Sequence, residues 1–290
     1  MEAAPLRRIR AVWVLYGVVL VATLLTYGRL APEETYHVSR SGIEGALSRA
    51  VTYLSYPVAL AALALVWLRC RGVLAWCVGA ACAVVAVPGV VSPDDLDAQP
   101  VNLVPALAVL VAVVLTWRDG RADARVAALP LGPVRVGLMV VLALWSVPWV
   151  CAALGFHAGD VPLLDEVVRS SEPTPGEPGL ASVHLGLHEG LFGAQLAVTA
   201  LVLTTLRPLP RGLSPYLALM LCYGIAVSLA DGWNEQVVKR GWSDVQMPDV
   251  LEPALTLDWL GVLAASALVH LGWFRREARR TPPRSDAVSP

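Results

Sequence analysis

The chain has 290 residues, of which 56% are hydrophobic and only 16% charged, with a formal net charge of −1 and a mean hydropathy of +0.61. These proportions exclude a disordered chain and fall outside the usual soluble range. The near-neutral charge balance excludes a broadly basic, nucleic-acid-binding surface.

A membrane-crossing helix needs about 20 mostly apolar residues. Eight segments meet that requirement, at about 11–28, 50–68, 72–91, 101–117, 135–154, 182–206, 213–230 and 254–274. The first follows Arg7, Arg8 and Arg10, and no small-residue cleavage site follows it, so it reads as a signal anchor. The approach to the second is patterned: His37, Ser41, Glu44, Ser48, Thr52 and Ser55 fall on one helical face. Arg40 borders that face and Arg49 lies nearer the other side. One helix from about residue 38 through the span is expected. Its polar stripe either lies against headgroups or faces the sixth helix, with Arg40 or Glu44 completing a buried network.

Asp94, Asp95 and Asp97 follow the third segment, and His157 follows the fifth. The connection 155–181 contains SSEPTPGEPG and is expected to be irregular. In the seventh, Asp231 and Glu235 lie one turn apart with Asn234 nearby, and the helix is expected to continue to about Trp242. Thr256 and Asp258 mark one end of the eighth, and His270, with an expected structural role, marks the other. The five cysteines all lie in or beside apolar segments with no metal-type CxxC spacing, so neither a disulfide framework nor a thiolate site is expected.

Basic residues set the orientation. The tails and alternate connections on one side carry 16 of the 22, from Arg7 in the first tail to Arg284 in the last. The other side carries Arg29, Arg40, Arg49, Arg169, Lys239 and Arg240. By the positive-inside rule both termini are cytoplasmic. Trp13, Trp67, Trp117 and Trp273 mark inner ends and Trp149, Trp233, Trp242 and Trp259 outer ends, as an aromatic belt does. The expected architecture is all-α: a polytopic helical bundle of the bacterial cytoplasmic membrane. Residues 1–274 form one transmembrane domain, and 275–290 form a basic, disordered cytoplasmic tail.

The sixth segment opens with HLGLHEGLFGAQ, polar where Leu and Val belong. Read as a helix from Ser182, it puts His184, His188, Gln195 and Thr199 on one narrow face, with Glu189 beside it. Gly186, Gly190, Gly193 and Ala197 form a small-residue groove on the adjoining side, suited to a close helix neighbour. Imidazoles at i and i+4 can reach one ion, so His184 and His188 are candidate ligands for a divalent metal such as zinc. As catalytic groups they are metal ligands or acid/base groups, with Glu189 a general base or supporting partner. Gln195, Arg40, Glu44, Asp231, Asn234 and Glu235 are the candidate binding residues. The His184/His188 pair resembles the HxxxH of intramembrane ceramidase-like zinc hydrolases over five residues, in a different helix and without a third histidine. The leading functional expectation is an enzyme acting on a lipid or lipophilic small molecule. A transporter or ion-binding protein is the second, and a structural or assembly subunit the third.

Overall fold

The computed structural model describes residues 4–31, 39–93, 95–117, 126–155, 173–174, 177–181, 186–238 and 242–280. Helices dominate. Those long and apolar enough to cross a membrane number five among the described residues: α1 (Ala4–Arg29), α2 (Gly42–Arg69), α4 (Pro100–Trp117), α8 (Leu213–Val238) and α9 (Leu257–Ala278). Between them lie the shorter apolar helices α3 (Val73–Ala86) and α7 (Glu189–Leu203), and a pair, α5 (Gly132–Trp145) and α6 (Val147–Leu154), bent by 51°. Every apolar segment read from the sequence thus contains helix, and the chain inserts in a membrane as a helical bundle.

Three irregularities stand out in these helices, the first two at prolines. Pro148 lacks an N–H and its ring crowds the carbonyl four residues back, so the α5–α6 helix breaks at Ser146, whose hydroxyl returns to the Leu142 carbonyl at 2.7 Å. Pro57 interrupts α2 in the same way, and the helix absorbs it as a π-helical turn over Leu54–Val58. The third is another π turn at Asn234–Val238, which ends α8.

The core centres on α7 and α8. A Cβ on Gly193 would stand 2.4 Å from the Gly224 carbonyl, and one on Gly224 would stand 2.4 Å from the Gly193 carbonyl. Only two glycines allow the backbones to touch there, so of the predicted small-residue groove Gly193 and Ala197 lie against α8, while Gly190 meets Trp149 and Gly186 meets Tyr27. Around this pair α1 and α2 close one side and α5–α6 the other. Trp149 lies flat against Gly190, where a Cβ would meet the ring at 2.1 Å.

At the end of the bundle where α7 finishes, a short antiparallel bridge joins β1 (Ala127–Ala128) to β4 (Leu206–Arg207). Beside it, the buried Arg135 makes a two-pronged ion pair with Glu277. Arg207 approaches the same carboxylate at 3.6 Å. Burial lowers the Arg207 pKa from its usual value, and Glu277 opposes that shift. Arg8 donates to Thr205 and to the Leu129 carbonyl.

Three expectations about elements are revised. α9 runs through a π turn at His270–Phe274 into a last helical stretch, Arg275–Arg280. The expected disordered tail therefore begins with helix, because Arg135 and Arg207 fasten Glu277 to the bundle; residues 281–290 lie outside those described. The 155–181 connection holds a small antiparallel hairpin, β2 (Pro173–Thr174) with β3 (Glu177–Ala181), where irregular chain was expected. α2 starts at Gly42 after Ser41, and not near residue 38. His37, Asp94 and His157 lie outside the described residues. His270 stands 3.2 Å from the Ser214 hydroxyl, a contact between α9 and α8.

Candidate metal centre

Gly186 and His188 decide where α7 starts. Gly186 has φ +120, which side-chain-bearing residues rarely adopt, and a Cβ there would meet the Tyr27 hydroxyl oxygen at 2.1 Å. Tyr27 fills that space, and its oxygen accepts the Leu187 N–H at 2.9 Å. His188 is still extended, with φ −114 and ψ 149, and serves as the N-cap residue of α7. Glu189 opens the first turn, where a carboxylate favours the positive end of the helix dipole.

This overturns the sixth helix as read from Ser182. The glycines that make its packing groove also release its first turns, so the helix spans Glu189–Leu203. His188 precedes it in extended conformation. His184 itself lies outside the described residues.

The neighbouring helix supplies the carboxylates. Asp231 and Glu235 lie one turn apart near the end of α8. Asp231 Oδ2 accepts the Gly190 N–H at 2.8 Å, so it closes the exposed first turn of α7 from outside. The same oxygen stands 3.9 Å from His188 Nδ1. Glu235 is buried, with 9% of its surface exposed. One ligand atom each from His188, Asp231 and Glu235 fall within 4.8 Å of one another. That set, one imidazole and two carboxylates, could hold a divalent cation.

The three residues line a cavity of about 470 Å³ at the Arg29 end of the bundle. Glu189 and Asp249 share its wall. Asp249 belongs to the connection between α8 and α9, which polar contacts fold over the site. The Asn234 amide pairs with both the N–H and the carbonyl of Met247, at 2.9 and 3.1 Å. The Tyr56 and Tyr223 hydroxyls both donate to the Leu251 carbonyl at 2.8 Å. The Asp249 carboxylate accepts the Leu251 N–H at 2.7 Å.

The opposite wall comes from α1 and α2. Arg49 is 2% exposed, although it lines the cavity. Its guanidinium carbon lies 5.0 Å over the Tyr27 ring, and Nη2 is 3.4 Å from the Tyr27 hydroxyl. Nε and Nη1 have no hydrogen-bond partner among the described residues.

Of the candidate catalytic, metal and binding residues named from the sequence, the cavity brings together His188, Glu189, Asp231, Asn234 and Glu235. Both polar ends of the Asn234 amide are engaged with Met247, which makes this side chain a fastener of the covering connection. Gln195 lies deeper and apart from the cavity. Its Oε1 accepts from the Tyr53 hydroxyl at 3.0 Å, and its Nε2 reaches the Leu15 carbonyl at 3.4 Å. Arg40 and Glu44 pair with each other at 3.5 Å on the surface, with 43% and 75% of their side chains exposed. The polar stripe of α2 therefore reaches the cavity through Thr52 and not through Glu44.

Sequence reasoning missed Arg49, Tyr27 and Asp249. Arg49 carried a usable signal, since a cation at the mouth of an apolar span is costly without a partner or a polar cavity. No family model, curated protein or solved structure matches this chain.

Proposed function

We propose that the chain is an eight-span protein of the bacterial cytoplasmic membrane with both termini in the cytoplasm. Its cavity opens outward and holds a divalent cation such as zinc, and it acts as an enzyme on a lipid or lipophilic substrate. Support for eight spans comes from the five long helices, the bent α5–α6 pair and the two shorter apolar helices, read together with the bias of basic residues.

The observation that carries the function is the convergence of His188, Asp231 and Glu235 within 4.8 Å. Three protein ligands leave a coordination position open, as in catalytic and unlike structural zinc sites. A cation so held polarises a substrate oxygen or lowers the pKa of a bound water until hydroxide is available near neutrality. Glu189 lines the same cavity and is the candidate general base.

The test is metal content by mass spectrometry on detergent-purified full-length protein. Wild type should retain a stoichiometric divalent ion. His188→Ala, Asp231→Asn and Glu235→Gln should each lose most of it while eluting as the same folded species. Equal, negligible metal in wild type and variants would remove the reading.

One observation favours a transporter as the second reading. Polar contacts also lie deeper in the bundle than the cavity: Tyr53 to Gln195 at 3.0 Å, and Thr199 to the Tyr16 hydroxyl at 3.2 Å. Under that reading Gln195→Leu stops cation flux into proteoliposomes. Under the enzyme reading there is no such flux to stop.

A further inference from the structure

The bend between α5 and α6 leaves a second opening in the bundle. α6 is fastened to α1, where the Thr26 hydroxyl donates to the Ala153 carbonyl at 2.5 Å and Arg29 to the Gly155 carbonyl at 2.9 Å. α5 meets α6 at 51° and packs on α7. Between α1 and α5–α6 stands a groove of about 530 Å³, floored by α7. That volume lies within the range of ligand cavities, about 300–1,000 Å³. Along α1 the groove runs from Val14 to Ala22, about 12 Å at 1.5 Å per residue.

The lining decides the occupant. Its side chains are apolar except for Ser146 and Gln195. The Ser146 hydroxyl is bonded to the Leu142 carbonyl, and the two ends of the Gln195 amide are engaged with Tyr53 and Leu15. A trapped water needs about two to four polar partners, so this groove favours hydrocarbon over water. Its mouth is continuous with the surface that faces lipid. Val14 and Val18 on one rim, and Val150 and Leu154 on the other, are between 43 and 63% exposed. A helix from a second copy is about 10 Å across, so a 12 Å length displaces roughly 900 Å³, well over the room available. A single hydrocarbon chain is thinner and bends to follow the walls.

We propose that this groove holds one hydrocarbon chain of a bilayer lipid from the leaflet at the Arg29 end. The groove and the cation cavity share the same turns of α7: Leu191 and Ala194 line the groove, Glu189 and Phe192 the cavity. A lipid seated in the groove therefore presents its polar end at the level of the cation site, which makes it a substrate that enters chain first. That last step rests on the metal-site reading; occupancy of the groove does not.

The probe is a phosphatidylcholine with a photoreactive diazirine midway along one acyl chain. It is added to vesicles of phosphatidylethanolamine and phosphatidylglycerol that hold the full-length protein, and peptide mapping reads where it attaches. Leu191, Ala194 and Gln195 are 5, 5 and 2% exposed, so lipid that merely coats the bundle does not reach them. Wild type should be labelled on α7 between Leu191 and Val198, and on the exposed Leu107 of α4, which serves as the internal standard. Ala143→Trp, at an exposed position on the groove wall, should cut the α7 signal at least about tenfold relative to Leu107. Val18→Trp does the same from the opposite rim and replaces it if Ala143→Trp does not insert. Ala264→Trp, exposed on α9 and outside the groove, should change nothing. Label on Leu107 without label on α7 in wild type overturns the inference, and so does an α7 signal that persists in the groove-filling variants. Metal content is measured on the same samples. Groove-dependent α7 labelling in metal-free protein upholds the groove and removes the metal reading; bound metal without α7 labelling does the reverse.

Discussion

At the residue scale, Gln195 and His188 show why one helical face misleads. Both are polar and both fall on the same side of an idealised helix drawn from Ser182, yet one caps the helix and the other is buried within it. Gln195 bonds to Tyr53 and to the Leu15 carbonyl, so its role is to join α1, α2 and α7. Gln195→Leu should leave the Tyr53 hydroxyl only its 3.3 Å contact with the Tyr16 carbonyl and lower stability by about 1 kcal/mol. Metal content should be unchanged, and thermal unfolding followed with metal analysis on the same sample would check both halves. Loss of metal with stability intact would return Gln195 to the site. The residues that converge on the cavity were otherwise largely legible. His188 and Glu189 are conspicuous because they interrupt an apolar segment, and Asp231 and Glu235 because they stand at the end of one, where polar groups are expensive. Arg49 was not, because it stands on the flank of the α2 stripe and only its long side chain carries its charge across to Tyr27. Asp249 depends on how the chain between α8 and α9 folds back, and no periodicity records that.

At the element scale, α7 shows the competing demands on glycine. Gly190 and Gly193 let Trp149 and α8 come into contact with the helix backbone. The neighbouring Gly186 takes a backbone angle that keeps the preceding turn from forming. The sequence announces the packing role but hides the second one, since a pattern of small residues reads equally well as a longer helix. Because Asp231 bonds to the first turn of α7, spacing between α7 and α8 and geometry of the cation cluster are coupled. Gly193→Ala places a methyl 2.4 Å from the Gly224 carbonyl, which no side-chain movement can relieve. It should destabilise by about 1–3 kcal/mol and weaken metal binding together. Gly261→Ala on α9, where nothing lies within 4 Å, is the control and should leave both unchanged. Unaltered metal affinity in Gly193→Ala would disconnect the helix spacing from the site.

For the whole molecule, hydropathy made the helical bundle readable, because a chain in lipid must satisfy its backbone within each segment. Hydropathy did not show how high each helix stands. α7 has 15 residues, hence about 22 Å of rise against a hydrocarbon layer of about 30 Å. At its N-terminal end His188 is extended, and the cavity stands beside it. The two ends of the bundle also differ in character: Arg135, Arg207 and Glu277 tie one together, while carboxylates and a single unmatched arginine line a hollow in the other. That shortened helix has an electrical consequence. If the hollow opens to water as proposed, the bulk potential reaches the proposed cation site, and a cation arriving there would cross little of the transmembrane field. An ion that crossed the entire field would gain or lose about 2.3 kcal/mol per charge at 100 mV. In liposomes holding a potassium diffusion potential, metal affinity should therefore change by less than about twofold between 0 and 100 mV of either sign. A steep voltage dependence would mean that the insulating layer extends above His188, and that ions reach it through protein rather than through water.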